Sequence, residues 1–159
     1  MDSSAIPSDQ DHPRADRKDR LVSSYVPSPP SERPIELSRQ MLGVLALLDM
    51  SRTARRVLDM LLSLADPEDG TAEVSQDEMC VLLGVSKPGV NRGFKELREC
   101  GLTWQLQRGL YQLHPALTGT VAGPVASVPE IRPADPEAFS EQRRERFAAQ
   151  VANLTKRSA

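Results

Sequence analysis

Between residues 37 and 100 the apolar residues recur at three- and four-residue intervals. Between 102 and 113 they alternate, and in residues 1–36 and 120–134 they show no period. A 3.6-residue period marks amphipathic helices and a two-residue period marks strands with one buried face. From Ser38 to Asp49, Met41, Leu42, Leu45 and Leu48 fall on the inward side of a helix that Ser38 can cap. Ser51 or Thr53 starts a second helix, with Ala54, Val57, Leu58, Leu61 and Leu62 inward. The turn formers Asp66-Pro67-Glu68-Asp69-Gly70 end it near Ala65. Thr71 to Val74 then reads as a short strand.

Ser75 caps a third helix, and Glu78 three residues later completes a capping box. Met79, Leu82 and Leu83 supply its apolar face. Gly84 ends it, because glycine accepts the left-handed conformation of a helix C-terminus, and Val85 plugs the turn. Ser86 caps a fourth helix, where Pro88 is tolerated because a first-turn N–H has no helical partner. Val90, Phe94 and Leu97 form its buried stripe. Lys87, Asn91, Arg92, Lys95 and Arg98 take the other face, and Gly101 closes it. Two strands follow: Leu102 to Leu106, a three-residue turn Gln107-Arg108-Gly109, then Leu110 to Leu113, stopped by His114-Pro115. Helix, glycine turn and exposed basic helix make a helix-turn-helix, whose second helix lies in a DNA major groove. A hairpin directly after that helix is a wing. The bland reading of the same stretch is a helical hairpin with a solvated charged face.

The flanks differ. Residues 1–36 are rich in Ser, Asp, Pro and Arg without apolar period, which predicts a disordered tail with a stiff proline-rich end. Residues 120–134 read as a linker. Asp135 as cap and Pro136 at the first helical position announce an amphipathic C-terminal helix over residues 135–156. Phe139, Phe147, Val151 and Leu154 share its stripe. That stripe has three uses: pairing with its twin, packing on the core, or none.

Composition narrows the function. Of 159 residues, 20 are basic and 22 acidic, so the net charge is −2. Contact with nucleic acid must rest on a local patch rather than on bulk charge. Two cysteines, Cys80 and Cys100, without a secretory leader point to a reducing cytoplasm and structural thiols. The longest apolar run, Met41 to Leu48, is too short to span a bilayer, so no membrane is expected. There is no Walker motif, G-x-S-x-G or H-E-x-x-H, and His12 and His114 are remote from any metal spacing. No catalytic residue, cofactor or metal is expected.

The stretch VSQDEMCVLLGVSKPGVNRGFKELRECGLTWQLQRGLYQLHP resembles bacterial winged-helix DNA-binding domains, the MarR-type transcription regulators and the RepL group of plasmid replication initiators. The shared pattern is an acidic-then-apolar helix, L-G-V-S-K-P, a valine and leucine seven apart, E-C-G-L, and G-x-Y-x-L-x-P. Here the wing is short, with Arg108 its one strong cation, and the long dimerisation helices of MarR-type proteins are not evident. The expected fold is mainly α with a small β-wing: a winged helix-turn-helix domain over residues 37–119 between disordered tails.

The expected ligand is double-stranded DNA. Asn91 and Arg92 suit base edges, asparagine pairing with adenine and arginine with guanine, and Lys87 lies near the helix start. Ser86, Lys95 and Gln76 are candidates for phosphate, and Gln107 and Arg108 for the backbone or minor groove. So few cations bind weakly as one domain, so a homodimer, or monomers assembling on repeated sites, is expected. The leading reading is a transcriptional regulator. Alternatives are a replication initiator on origin repeats, and a protein-interaction module that binds a partner through the C-terminal helix.

Overall fold

The computed structural model describes residues 34–121 and 128–156. The chain from Ile35 onward makes up one unit. The predicted disordered tail falls almost wholly on residues 1–33, outside the described residues, and residues 122–127 of the expected linker lie outside them too. Six α-helices and a three-stranded antiparallel sheet are described. No helix among these residues is long and apolar enough to cross a membrane.

Helix α1 spans Arg39–Leu48 and α2 spans Arg52–Leu64. Each starts at a serine whose hydroxyl accepts a backbone N–H: Ser38 from Met41 at 3.0 Å and Ser51 from Ala54 at 3.1 Å. This satisfies a first-turn donor that has no helical partner. All five expected core positions of α2 are buried. In α1 the buried residues are Met41, Val44, Leu45 and Leu48, while Leu42 is exposed. The run from Met41 to Leu48 is apolar almost all round, so the sequence leaves the phase of the stripe open. Packing selects Val44 instead of Leu42.

Strand β1, Thr71–Glu73, leads into α3, Gln76–Leu83, and α4, Lys87–Glu99. The hydroxyls of Ser75 and Ser86 cap these helices at Glu78 and Gly89, and Gly84 between them sits at φ 63°. In α3 only Met79 is buried; Leu82 is 52% and Val81 84% exposed. The expected apolar face of α3 is thereby corrected. Leu83 packs half-buried as expected, and half-buried Cys80 takes the place assigned to Leu82. An eight-residue helix has barely two turns in which to fix a period.

Strands β2, Thr103–Gln107, and β3, Leu110–Leu113, complete the sheet in the order β1-β3-β2. The turn is two residues, Arg108-Gly109, with Gly109 at φ 77°, not the three expected. The pairing shifts between Gln105 and Gln107, so Leu106 is the extra residue of a bulge. A short helix α5, Pro115–Thr118, follows, with the Nδ1 of His114 accepting from the Ala116 N–H at 3.0 Å.

The C-terminal expectation needs correction. Asp135 makes no capping hydrogen bond, and Pro136–Ala138 is an isolated 3₁₀ turn. Helix α6 begins at Glu141 and ends at Lys156, with the Ser140 hydroxyl accepting from the Arg143 N–H at 3.3 Å. Phe139 therefore lies outside the helix. It is buried, with the Arg143 guanidinium 4.0 Å above its ring, and Arg143 also pairs with Asp49 at 3.2 Å. Phe147 joins the core cluster, Val151 and Leu154 pack half-buried against it, and Gln150 donates to the Gln40 carbonyl at 3.2 Å. Helix α6 thus lies on α1. Packing on the core is the observed use of its stripe, which is covered within the chain rather than free for a partner.

The described end of the linker is packed as well. Arg132 donates from its backbone N–H to the Cys100 carbonyl at 3.0 Å and from Nε to the Glu99 carbonyl at 3.3 Å. Helix ends leave such carbonyls unpaired, so this strand of chain caps α4. Ile131 is buried beside it, and His114 Nε2 meets the Pro129 carbonyl at 3.2 Å. Gly101, at φ 76°, lies so close that a Cβ there would run into the Glu130 carbonyl oxygen.

Candidate nucleic-acid interface

Helix α4 is fixed from behind. Val90, Phe94 and Leu97 are buried, and Phe94 stacks on Tyr111 of β3 with ring centroids 4.5 Å apart. Gly93 lets α4 approach α2: a Cβ there would stand 3.1 Å from Val57 Cγ2. Glu96 turns away from the basic face. Its carboxylate accepts from the Ser51 N–H at 2.8 Å and the Ser51 hydroxyl at 2.6 Å. A negative group at the start of α2 also meets the positive end of that helix dipole. Arg56 of α2 donates to the Leu83 carbonyl at 2.7 Å, which caps α3 just before the Gly84 turn. The tight turn and α4 are thus both tied to α2.

The opposite face of α4 carries Lys87, Asn91, Arg92, Lys95 and Arg98, all exposed. Lys87 pairs with Asp77 at 3.2 Å and Lys95 with Glu99 at 3.8 Å. Both pairs are well exposed, so they are weak and readily exchanged for a phosphate. Arg92, Arg98 and Arg108 form no ion pair, and Asn91 no side-chain hydrogen bond, among the described residues. The hydroxyl of Ser86 is engaged as a helix cap.

Gln107 and Arg108 are exposed at the hairpin tip. The tip is held beside the start of α3, because the Gly109 carbonyl accepts from the Val74 N–H at 2.9 Å. Gln76, in the first turn of α3, is half-buried and does not share the open face of α4. It lines a small cleft between α3, α4 and β2 together with Arg98 and Gln105. The candidates therefore fall into three places: one helix face with Lys87, Asn91, Arg92 and Lys95, the hairpin tip, and the cleft. Arg98 and Gln105 join the candidates through the fold, which brings both to Gln76 in this cleft. The period of α4 already puts Arg98 outward, but Gln105 becomes a neighbour of Gln76 only once β2 is paired.

Among the described residues, three groups titrate away from their ordinary values. Burial pulls His114 down, partly opposed by its contact with the Pro129 carbonyl. Burial, and then the nearby Glu96 charge, pushes the Cys100 thiol up to about 11. Hydrogen bonds from the Thr71 hydroxyl and N–H hold Asp69 down. None of these lies on the outward face of α4. Cys80 and Cys100 are both free thiols, and no group of three or more His, Cys, Asp or Glu among the described residues is placed to hold a metal. The α4 face offers fixed hydrogen-bond donors and cations.

Comparison with protein families, with curated proteins and with solved structures finds no match.

Proposed function

We propose that this chain is a sequence-specific DNA-binding protein of winged helix-turn-helix type, acting as a transcriptional regulator. Helix α4 would enter the major groove, and the hairpin tip with Gln107 and Arg108 would reach the backbone or minor groove. One observation carries the reading: an exposed face of Lys87, Asn91, Arg92, Lys95 and Arg98 on a helix whose back is locked by Val90, Phe94, Leu97 and the Glu96–Ser51 contact. A face that reads base edges must hold its donors in register, and a solvated charged face has no such need. Asn91 and Arg92 would read bases, with Lys87, Lys95 and Ser86 on phosphate. Two copies on adjacent half-sites would supply the phosphate contacts that one near-neutral domain lacks.

Capture of genomic DNA by the purified full chain at two salt concentrations tests this. A few sharp peaks over promoters are expected. Peaks confined to repeats beside one origin would favour a replication initiator. The triple variant Lys87→Ala, Arg92→Ala, Lys95→Ala should weaken binding and flatten its salt dependence by roughly one unit of slope for each phosphate no longer neutralised. Unchanged binding by that variant, or no enrichment even at low salt, sinks the proposal. A protein-docking module is the second reading, favoured by the exposed Val81 and Leu82 on α3.

A further inference from the structure

The cleft between α3, α4 and β2 has a composition unlike the rest of the surface. One cation, Arg98, and the amides Gln76 and Gln105 line it, over a floor that includes the stacked rings of Phe94 and Tyr111. No carboxylate lines it, in a chain whose acidic residues outnumber its basic ones. Thr103 also lines it. The register pairs Thr103 with Leu113 and Gln105 with Tyr111, so Thr103, Gln105 and Tyr111 share the sheet face against which Phe94 stacks.

The two hydroxyls of that face are the telling groups. Thr103 is 2% and Tyr111 5% exposed. Neither side chain has a hydrogen-bond partner among the described residues, yet neither oxygen is sealed from solvent, since the one sealed, unpaired side-chain atom belongs to Thr120. Polar groups on residues this deeply buried are ordinarily paired. Here both residues line a cleft that also holds an unpaired guanidinium and two amides, all of which can donate hydrogen bonds. Such a set suits a tetrahedral oxyanion, because arginine grips two of its oxygens at once and the neutral donors take the others.

We propose that this cleft is a phosphate-group site, with Arg98 as its principal ligand and Gln76, Thr103 and Gln105 as supporting donors. The phosphate group belongs either to a DNA backbone or to a free phosphorylated compound, so the site stands whether or not DNA is the ligand of α4.

The experiment follows binding to the full-length protein by titration calorimetry at constant ionic strength, with inorganic phosphate and separately with a duplex oligonucleotide. A saturable response to phosphate is expected, weakened about 10–100-fold in Arg98→Gln, as removal of a charge-assisted hydrogen bond implies. Arg98 is exposed, so this variant should keep its fold. Thr103→Val, which removes only the hydroxyl, should weaken the response less. Displacement of bound phosphate by the duplex identifies the DNA backbone as the source. A phosphate response without duplex binding identifies a free phosphorylated compound, and sinks the DNA reading while the site stands. No saturable response to phosphate, together with duplex affinity unchanged in Arg98→Gln, overturns the site and leaves the DNA reading intact.

Discussion

His114 shows how one side chain can hold two segments through its tautomer. Nδ1 accepts from the Ala116 N–H, so the proton sits on Nε2 and is donated to the Pro129 carbonyl. A second proton would have to occupy Nδ1, facing another donor. Burial is the main cause that holds the folded pKa below the ordinary value, against the contact with the Pro129 carbonyl. The unfolded chain therefore takes up the proton first as pH falls. The stabilisation is fully present above about pH 6.5 and is lost as pH falls from there through the folded value. Thermal melts between about pH 7 and pH 5 should show this slope in the natural chain and a shallower one in His114→Ala. Equal slopes would count against the assignment. Arg92 belongs to the same scale. If it reads a base, Arg92→Ala should cost about 1–3 kcal/mol at one position of the cognate site and relax preference there. Uniform weakening across all sequences would make it a phosphate contact instead.

At the scale of elements, legibility follows length and period. Helix α2 spreads five apolar positions over thirteen residues, and all five are buried. The serine starts of α1, α3 and α4 and the glycine at the α3–α4 turn are readable because capping is local chemistry, while for α2 the sequence offers Ser51 or Thr53 and the fold selects Ser51. The start of α6 is not. Asp135-Pro136 is a strong local signal, but it yields only a 3₁₀ turn, with Phe139 buried beyond it and the helix restarted at Ser140. The segment through Arg132 has no period at all. Its order comes from hydrogen bonds to carbonyls more than thirty residues away in sequence, which no local pattern records. The candidate site divides in the same way: the basic face of α4 follows from helical spacing, but the cleft at Arg98 and Gln105 exists only once β2 is paired. The close contact behind α4 makes Gly101 the sensitive position. Gly101→Ala adds a strained positive φ to a collision with the Glu130 carbonyl. It should destabilise by at least about 1–3 kcal/mol. Urea denaturation measures this, and a change within error would mean that the segment yields freely.

Across the whole molecule, the arrangement separates support from exposure. Helix α2 backs α4, α6 covers α1, and the segment through Arg132 caps the end of α4, while the polar face of α4, the hairpin tip and the cleft remain open. Glu96 and Glu99 both belong to α4, yet one is engaged by Ser51 and the other is paired with Lys95. A chain of net charge −2 can thus present cations locally. Helix α6 covers α1 through Phe147, Val151 and Leu154.

The two thiols differ in a way that serves the experimenter. Cys100 is buried and titrates near 11, so almost none of it is thiolate in neutral buffer, whereas Cys80 is half-buried on α3. Alkylation of the native chain should stop at one equivalent, on Cys80, with the second taken up only after denaturation; mass spectrometry counts both. A dye attached there would share the molecule with a single tryptophan, Trp104 in β2. The natural sequence thereby carries a donor and one selective attachment point for an acceptor, on the two elements that border the cleft, and energy transfer between them would report the distance between α3 and β2 without any residue being replaced.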